Sequence, residues 1–220
     1  MRIRQLEPAL KKLVEKLCRR LEEFRNTGTP VTIEYAFTCY ATDVITDYTM
    51  GDGYHYLDEP DFIPQWSHMI RGAGKTQTYF RPIGFLMPLF VALPESATAW
   101  LNPGMDLFFA YQRRCQVMIA DISKKFYEGR QQDAKGGPQN IFENILASNL
   151  PEKEKSQNRL WQDMQIFAAA GAETTAKAMC YTMFYLHNQP EILQKLKDEL
   201  APLGDNPSLL QLEQLPYLVS

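Results

Sequence analysis

Residues 160–187, LWQDMQIFAAAGAETTAKAMCYTMFYLH, carry the longest helical pattern in the chain. At 1.5 Å per residue this stretch extends about 42 Å. Its middle is apolar on nearly every side, which marks a helix running through a core rather than across a surface. Halfway along lies Ala168–Ala176, AAAGAETTA. Gly171 inside a helix costs about 1 kcal/mol against alanine, and the β-branched Thr174 and Thr175 do not compensate. A run of small residues lets something approach the backbone closely. That something is either a crossing helix or a flat ligand lying against Ala170 and Gly171. Glu173 needs a partner or water in such surroundings. The Thr174 hydroxyl can bond back to the Ala170 carbonyl, bending the helix, or donate into a pocket. An acid and a hydroxyl beside a groove make a short proton relay. An ion-paired Glu173 with a locally satisfied Thr174 fits the same residues.

The pattern on either side is helical as well. Leu6, Leu10, Leu13, Leu17, Leu21 and Phe24 mark one face of a first helix, closed by Gly28 and Pro30. A second runs from about Thr32 to Met50, with Ile33, Phe37, Val44, Ile45 and Tyr48 inward and Gly51 just past its end. A shorter helix is expected from Asp61 and Pro64 to Tyr79. Four prolines between Arg81 and Pro103 break the pattern around the apolar segment 83–93. Asn102 and Pro103 then open a long helix expected to end at Gly129. Residues 129–140 read as a polar loop, Ile141–Asn149 as a short helix, and Pro190 starts a last one with Ile192, Leu193, Leu196 and Leu200 on one face. No strand, repeat or domain boundary is legible, so the expected class is all-α.

Composition narrows the function. Of the 220 residues 45% are hydrophobic and 22% charged, a globular balance. Lys and Arg number 23 against 26 Asp and Glu, a net charge of −3, which argues against nucleic acid as a partner. Cys18, Cys39, Cys115 and Cys180 form no CxxC pair, so neither a zinc site nor a disulfide framework is signalled. His55, His68 and His187 share no ligand spacing, and no metal site is expected from them. Residues 71–76, RGAGKT, imitate a phosphate loop, but Met69 stands where its first glycine belongs and no buried strand precedes it. The N-terminal 25 residues are too charged for a signal peptide or anchor, and segment 83–93 is too short to span a bilayer.

Residues 170–175, AGAETT, resemble the A-G-x-[DE]-T-[TS] signature of the central I helix of cytochromes P450, most closely the fungal branch. Supporting segments follow in order: Tyr185–Pro190 (YLHNQP), Leu196–Leu200 (LKDEL) and Leu212–Leu218 (LEQLPYL), the last similar to the approach to the family's K helix. Upstream, Asp43–Asp47 (DVITD) ahead of Gly51 looks like its D helix, and 82–103 takes the place of its F–G region. The resemblance therefore divides the partial domain, 1–220, into helices up to and including D over 1–51, the F–G region over 61–130, and the H, I and J helices over 141–200.

The resemblance implies a heme-thiolate monooxygenase acting on an apolar small molecule, with fungal secondary-metabolite biosynthesis as the expected setting. Ala170, Gly171 and Thr175 would bind the heme, Thr174 would hydrogen-bond the activated oxygen, and Glu173 would deliver protons. Electrons would come from NADPH–cytochrome P450 reductase at the endoplasmic reticulum surface, or in the cytoplasm if the chain has no anchor. Segment 83–93 would line a substrate entrance and touch the membrane, or pack as an ordinary loop. The family's E-x-x-R helix would follow Ser220, and none of the four cysteines has the surroundings of its thiolate loop. The small β-sheets, the anchor and a W-x-x-x-R are missing too. The expectation is a truncated central piece, inactive alone, with a non-catalytic helical remnant that binds or interacts as the alternative.

Overall fold

The computed structural model describes residues 6–51, 53–80, 105–131, 140–204 and 206–219, and these residues form helices and no strand. The helices are α1 (Glu7–Thr27), α2 (Ile33–Met50), α3 (Pro64–Phe80), α4 (Met105–Gln131), α5 (Ile141–Ala147), α6 (Gln157–Asn188), α7 (Pro190–Leu200) and α8 (Leu209–Leu212). The all-α expectation holds. Gly28 (φ 67°) and Gly51 (φ 79°) end α1 and α2 in the left-handed conformation that glycine adopts without strain. Gly129 does not end α4, which continues to Gln131. The RGAGKT segment lies inside α3, where no phosphate loop can form. The expected opening of α4 at Asn102, the 83–93 segment and most of the polar loop fall outside the described residues.

Helix α6 is the axis of the packing. Leu160, Met164, Ala168, Ala172 and Ala176 recur every fourth residue, all fully buried, and make one continuous seam. Helix α2 lies along that seam in the most extensive helix–helix contact of the structure, and α4 packs beside it. The seam is lined by alanines because α2 comes so close. A methyl built on Gly171 would stand 2.8 Å from Ile45 Cγ1 and 3.2 Å from Ile45 Cβ.

Helix α2 is buried on most sides, yet many of its buried positions are polar. Ile33, Val44, Ile45 and Tyr48, expected inward, are only partly buried, whereas Thr38, Thr42, Asp43, Thr46 and Thr49 are inside. The threonines resolve the conflict locally. Thr38, Thr42, Thr46 and Thr49 donate to the carbonyls of Glu34, Thr38, Thr42 and Ile45 at 2.6–2.7 Å. Their hydroxyl oxygens then accept from outside the helix: Thr42 from Trp66 Nε1 at 2.8 Å and Thr46 from Tyr54 N at 3.1 Å. Asp43 accepts the backbone N–H groups of Tyr56 and Leu57 at 2.7 and 2.9 Å. These bonds, with the Cys39 thiol donating to the Phe62 carbonyl at 3.0 Å, fix the chain between α2 and α3. His55, Phe62 and Ile63 in that connection hold φ of 57°, 57° and 41°, strained values for residues with side chains.

Two apolar clusters flank α2. One holds Tyr54, Trp66, Tyr111, Cys115, Ile119, Phe142, Leu160 and Met164. Its rings meet edge to face, and Tyr111 Oη donates to the Gln165 carbonyl of α6 at 2.8 Å. The other joins Leu17 of α1 to Phe37, Leu57 and Phe62. Asn140 and Ser156 cap α5 and α6 by accepting from the N–H groups of Glu143 and Arg159.

Two outcomes follow from this packing. Gly171→Ala lowers stability by about 1–3 kcal/mol through overpacking, despite alanine's better helix propensity. Combined with Ile45→Ala it costs less than the sum of the single changes. Chemical denaturation of the four proteins measures both, and a Gly171→Ala variant as stable as the parent contradicts the contact. Asp43→Ala strands two buried N–H groups and costs about 2 kcal/mol or more, while Asp43→Asn, which keeps one accepting oxygen, costs less. Burial pushes the Asp43 carboxyl up against the pull of its two N–H donors and Lys16. The folded state thus holds this proton more tightly than the unfolded chain. Its contribution to stability declines as pH rises from the ordinary carboxylate range through the raised folded value, and Asp43→Asn removes that slope.

Candidate active site

Successive residues of a helix are turned about 100° from one another, so the AGAETT segment distributes itself over several rows of α6. One row, Phe167, Ala170, Thr174, Ala178, Tyr181 and Tyr185, is exposed, with Phe167 41%, Tyr181 63% and Tyr185 58% accessible. Ile166 and Phe184 beside it are 61% accessible. So wide an apolar surface, beside the buried row Leu160, Met164, Ala168, Ala172 and Ala176, marks a face built to be covered. In its centre the Thr174 hydroxyl donates to the Ala170 carbonyl at 2.8 Å.

Gly171 lies on a different row, against Ile45 of α2. Of the two arrangements its spacing allows, this structure supplies the crossing helix. Thr175, exposed, sits one turn on in the Gly171 row and not beside Ala170 and Thr174. Of the five residues singled out from sequence, the fold therefore brings Ala170 and Thr174 together, with Glu173 next to them, and turns Gly171 and Thr175 elsewhere.

The Glu173 carboxylate is ion-paired with Lys177 Nζ one turn along α6. It lines a small cleft between α2, α3 and α6, walled by Glu34, Thr38, Ser67, Ile70, Arg71, Ala176 and Lys177. There Arg71 Nη1 pairs with Glu34 Oε1 at 3.2 Å. Sequence reasoning did not find this second pair. Lys177 was legible from its i, i+4 spacing to Glu173, but Glu34 and Arg71 reach the cleft only through the packing of three helices.

Cys39 and Cys115 are buried and Cys180 is partly buried. Burial pushes the thiols of Cys39, Cys115 and Cys180 up, with Glu34 adding to the effect at Cys180. Such groups hold their protons and behave as small apolar residues, whereas a thiolate metal ligand needs a lowered thiol. Among the described residues no three His, Cys, Asp or Glu side chains converge on a common point, and no helix is long and apolar enough to cross a membrane. What the exposed row fits is a flat, mostly apolar group: a methyl-only floor at Ala170, a hydroxyl at Thr174, and aromatic rings above and below.

Comparison with known proteins gives the family. The family model described as Cytochrome P450 matches residues 1–220. Cytochrome P450 monooxygenase oblB of Cochliobolus heterostrophus is 30% identical over 223 residues, covering 98% of this chain and 43% of that protein. Cytochrome P450 monooxygenase MO6277 of Ascocoryne sarcoides is 32% identical over 97% of this chain and 44% of its own length. Tryptophan 6-hydroxylase fscE of Fusarium equiseti is 30% identical over 99% and 43%. The chain thus spans less than half the length of the curated relatives it matches. With a family match that runs from the first residue to the last, the chain belongs to the cytochrome P450 family.

Proposed function

We propose that these residues form one wall of the heme pocket of a monooxygenase, with Thr174 and Glu173 as its catalytic pair. The observation behind this reading is the exposed apolar row through Ala170 and Thr174 on the helix whose other side holds the buried alanine seam. A heme bound along it would supply activated dioxygen for insertion of one oxygen atom into a substrate. Ala170 admits a flat ring close to the helix backbone. Gly171, behind it, keeps α6 seated on α2 and so acts on the pocket through position. The Thr174 hydroxyl spends its proton on the Ala170 carbonyl and can re-aim it into the pocket by rotating about χ1. Glu173, next to Thr174 in sequence, partly exposed and paired with Lys177, would carry protons from solvent toward the pocket. The rings of Phe167, Tyr181 and Tyr185 exclude water, and Thr175 lies outside this row.

Several features of the whole protein follow as part of the proposal. The relatives include a tryptophan 6-hydroxylase and a grayanic acid cluster monooxygenase, which favours an apolar or aromatic small molecule in fungal secondary-metabolite biosynthesis. NADPH–cytochrome P450 reductase would supply electrons at the endoplasmic reticulum surface, with segment 83–93 as a peripheral membrane contact. The iron's thiolate ligand and the E-x-x-R helix would come from sequence other than these 220 residues. The chain alone would then not hydroxylate.

Two measurements test this. Heme reconstitution of the 220-residue chain, followed by a reduced carbon-monoxide difference spectrum, is expected to give no thiolate-type Soret band. Such a band would overturn the claim that the ligand lies elsewhere. In the heme-loaded full-length protein, Glu173→Gln is expected to lower product formation about 100-fold with the resting spectrum unchanged. Thr174→Ala is expected to divert NADPH from product to peroxide. Parental product formation by Glu173→Gln would remove Glu173 from the mechanism.

A further inference from the structure

Helix α4 reaches α6 through a buried phenol. Tyr111, 5% accessible, donates its hydroxyl to the Gln165 carbonyl at 2.8 Å. In a regular helix that carbonyl also accepts the N–H of residue 169, the neighbour of Ala170, and its two lone pairs allow both bonds. The phenol is itself held rigidly. The Trp66 ring of α3 stands edge-on to it with 4.9 Å between ring centres, Tyr54 does so at 6.4 Å, and Trp66 is in turn bonded to Thr42 of α2. Cys115, fully buried one turn further along α4, lies 3.7 Å from the Tyr54 hydroxyl. Burial, with the Cys115 thiol adding to it, pushes the Tyr111 hydroxyl up. It therefore keeps its proton and acts as a donor at physiological pH.

The contact of Gly171 with Ile45 fixes one point of α6. Gln165 precedes Gly171 by six residues, about 9 Å along the axis. A helix held at one point by van der Waals contact can still tilt about it. A directional hydrogen bond from another helix, at a second point, removes that freedom. Ala170 lies just before the pivot and Thr174 just beyond it, so a tilt moves the floor of the exposed row. Phe167, between the two points, rests on the buried Phe142 ring of α5 with 6.2 Å between centres. We propose that the Tyr111 hydroxyl is a positioning group for the pocket: its bond to the Gln165 carbonyl sets the tilt of α6 about the Gly171–Ile45 contact, and with it the depth of Ala170 and Thr174. This rests on the reading of that row as the heme-facing wall. Tyr111 acts on the wall through the backbone of α6. Packing belongs to its ring and positioning to its hydroxyl, and Tyr111→Phe separates the two by removing one oxygen.

The test uses the heme-loaded full-length protein. It reads amide hydrogen exchange in peptides covering 165–171 and the infrared C–O stretch of the reduced carbon-monoxide complex. In Tyr111→Phe this stretch of α6 is expected to exchange about 5-fold faster, the loss of one net hydrogen bond. The C–O band is expected to shift, because a tilted wall changes the polar groups that the bound carbon monoxide meets. Cys115→Ala opens a small cavity in the same ring cluster and leaves the hydroxyl in place. It is expected to lower stability with the C–O band at its parental position. Unchanged exchange or a parental band in Tyr111→Phe overturns the proposal, and so does an equal band shift in Cys115→Ala. Ala170→Val tests the underlying reading separately and is expected to move the band. A parental band there removes the exposed row from the pocket, and the proposal falls with it. A moved band in Ala170→Val beside a parental one in Tyr111→Phe sinks the role of the hydroxyl alone.

Discussion

The close approach of α2 to α6 at Gly171 is the constraint on which the rest of this structure depends. A side chain there would collide with Ile45, and because Ile45 is branched at Cβ it cannot swing clear. The alanine seam of Ala168, Ala172 and Ala176 extends the same requirement over two turns. Once that side of α6 is given to α2, the orientation of the whole helix is set. Thr174 and Ala170 then face outward and Glu173 faces α3. The small residues of the signature thus serve two purposes: Gly171 brings a helix in, and Ala170, one residue earlier, leaves a shallow floor on the face turned about 100° away.

The seam also explains the composition of α2. A helix buried on most sides is normally apolar, yet this one carries four buried threonines and a buried aspartate. Each hydroxyl hides its proton on its own helix, and those of Thr42 and Thr46 offer their oxygens to neighbours. The result is a rigid polar ladder that ties Trp66, Tyr54, Tyr56 and Leu57 to α2. Through Trp66 it positions α3, and α3 carries Arg71 to the cleft. The bond from Trp66 to Thr42 thus helps fix the helix that carries Arg71 to the cleft.

Much of this was legible in the sequence. The helix bounded by Ser156 and Pro190 announced itself by length and by apolar residues on all sides, and Gly28 and Gly51 marked the ends of α1 and α2. The back-bond from Thr174 to Ala170 followed from residue type and spacing. The interior of α2 was not legible in the same way, because periodicity counts threonine and aspartate as outward residues. Only tertiary partners, such as the N–H groups of Tyr56 and Leu57, make an inward Asp43 acceptable. Gly129 misled for a related reason: glycine permits a helix end without demanding one. The Glu34–Arg71 pair was invisible because 37 residues of sequence and a strained connection separate partners that three packed helices bring together.

One row of α6 is committed to α2, and in the proposed pocket the neighbouring exposed row receives a flat group. A structure of the full-length protein with heme bound tests it most directly. The account predicts that the ring system lies along Ala170 and Thr174 while Gly171 stays in contact with Ile45. A heme seated against Gly171, with Ile45 displaced from it, would contradict the account.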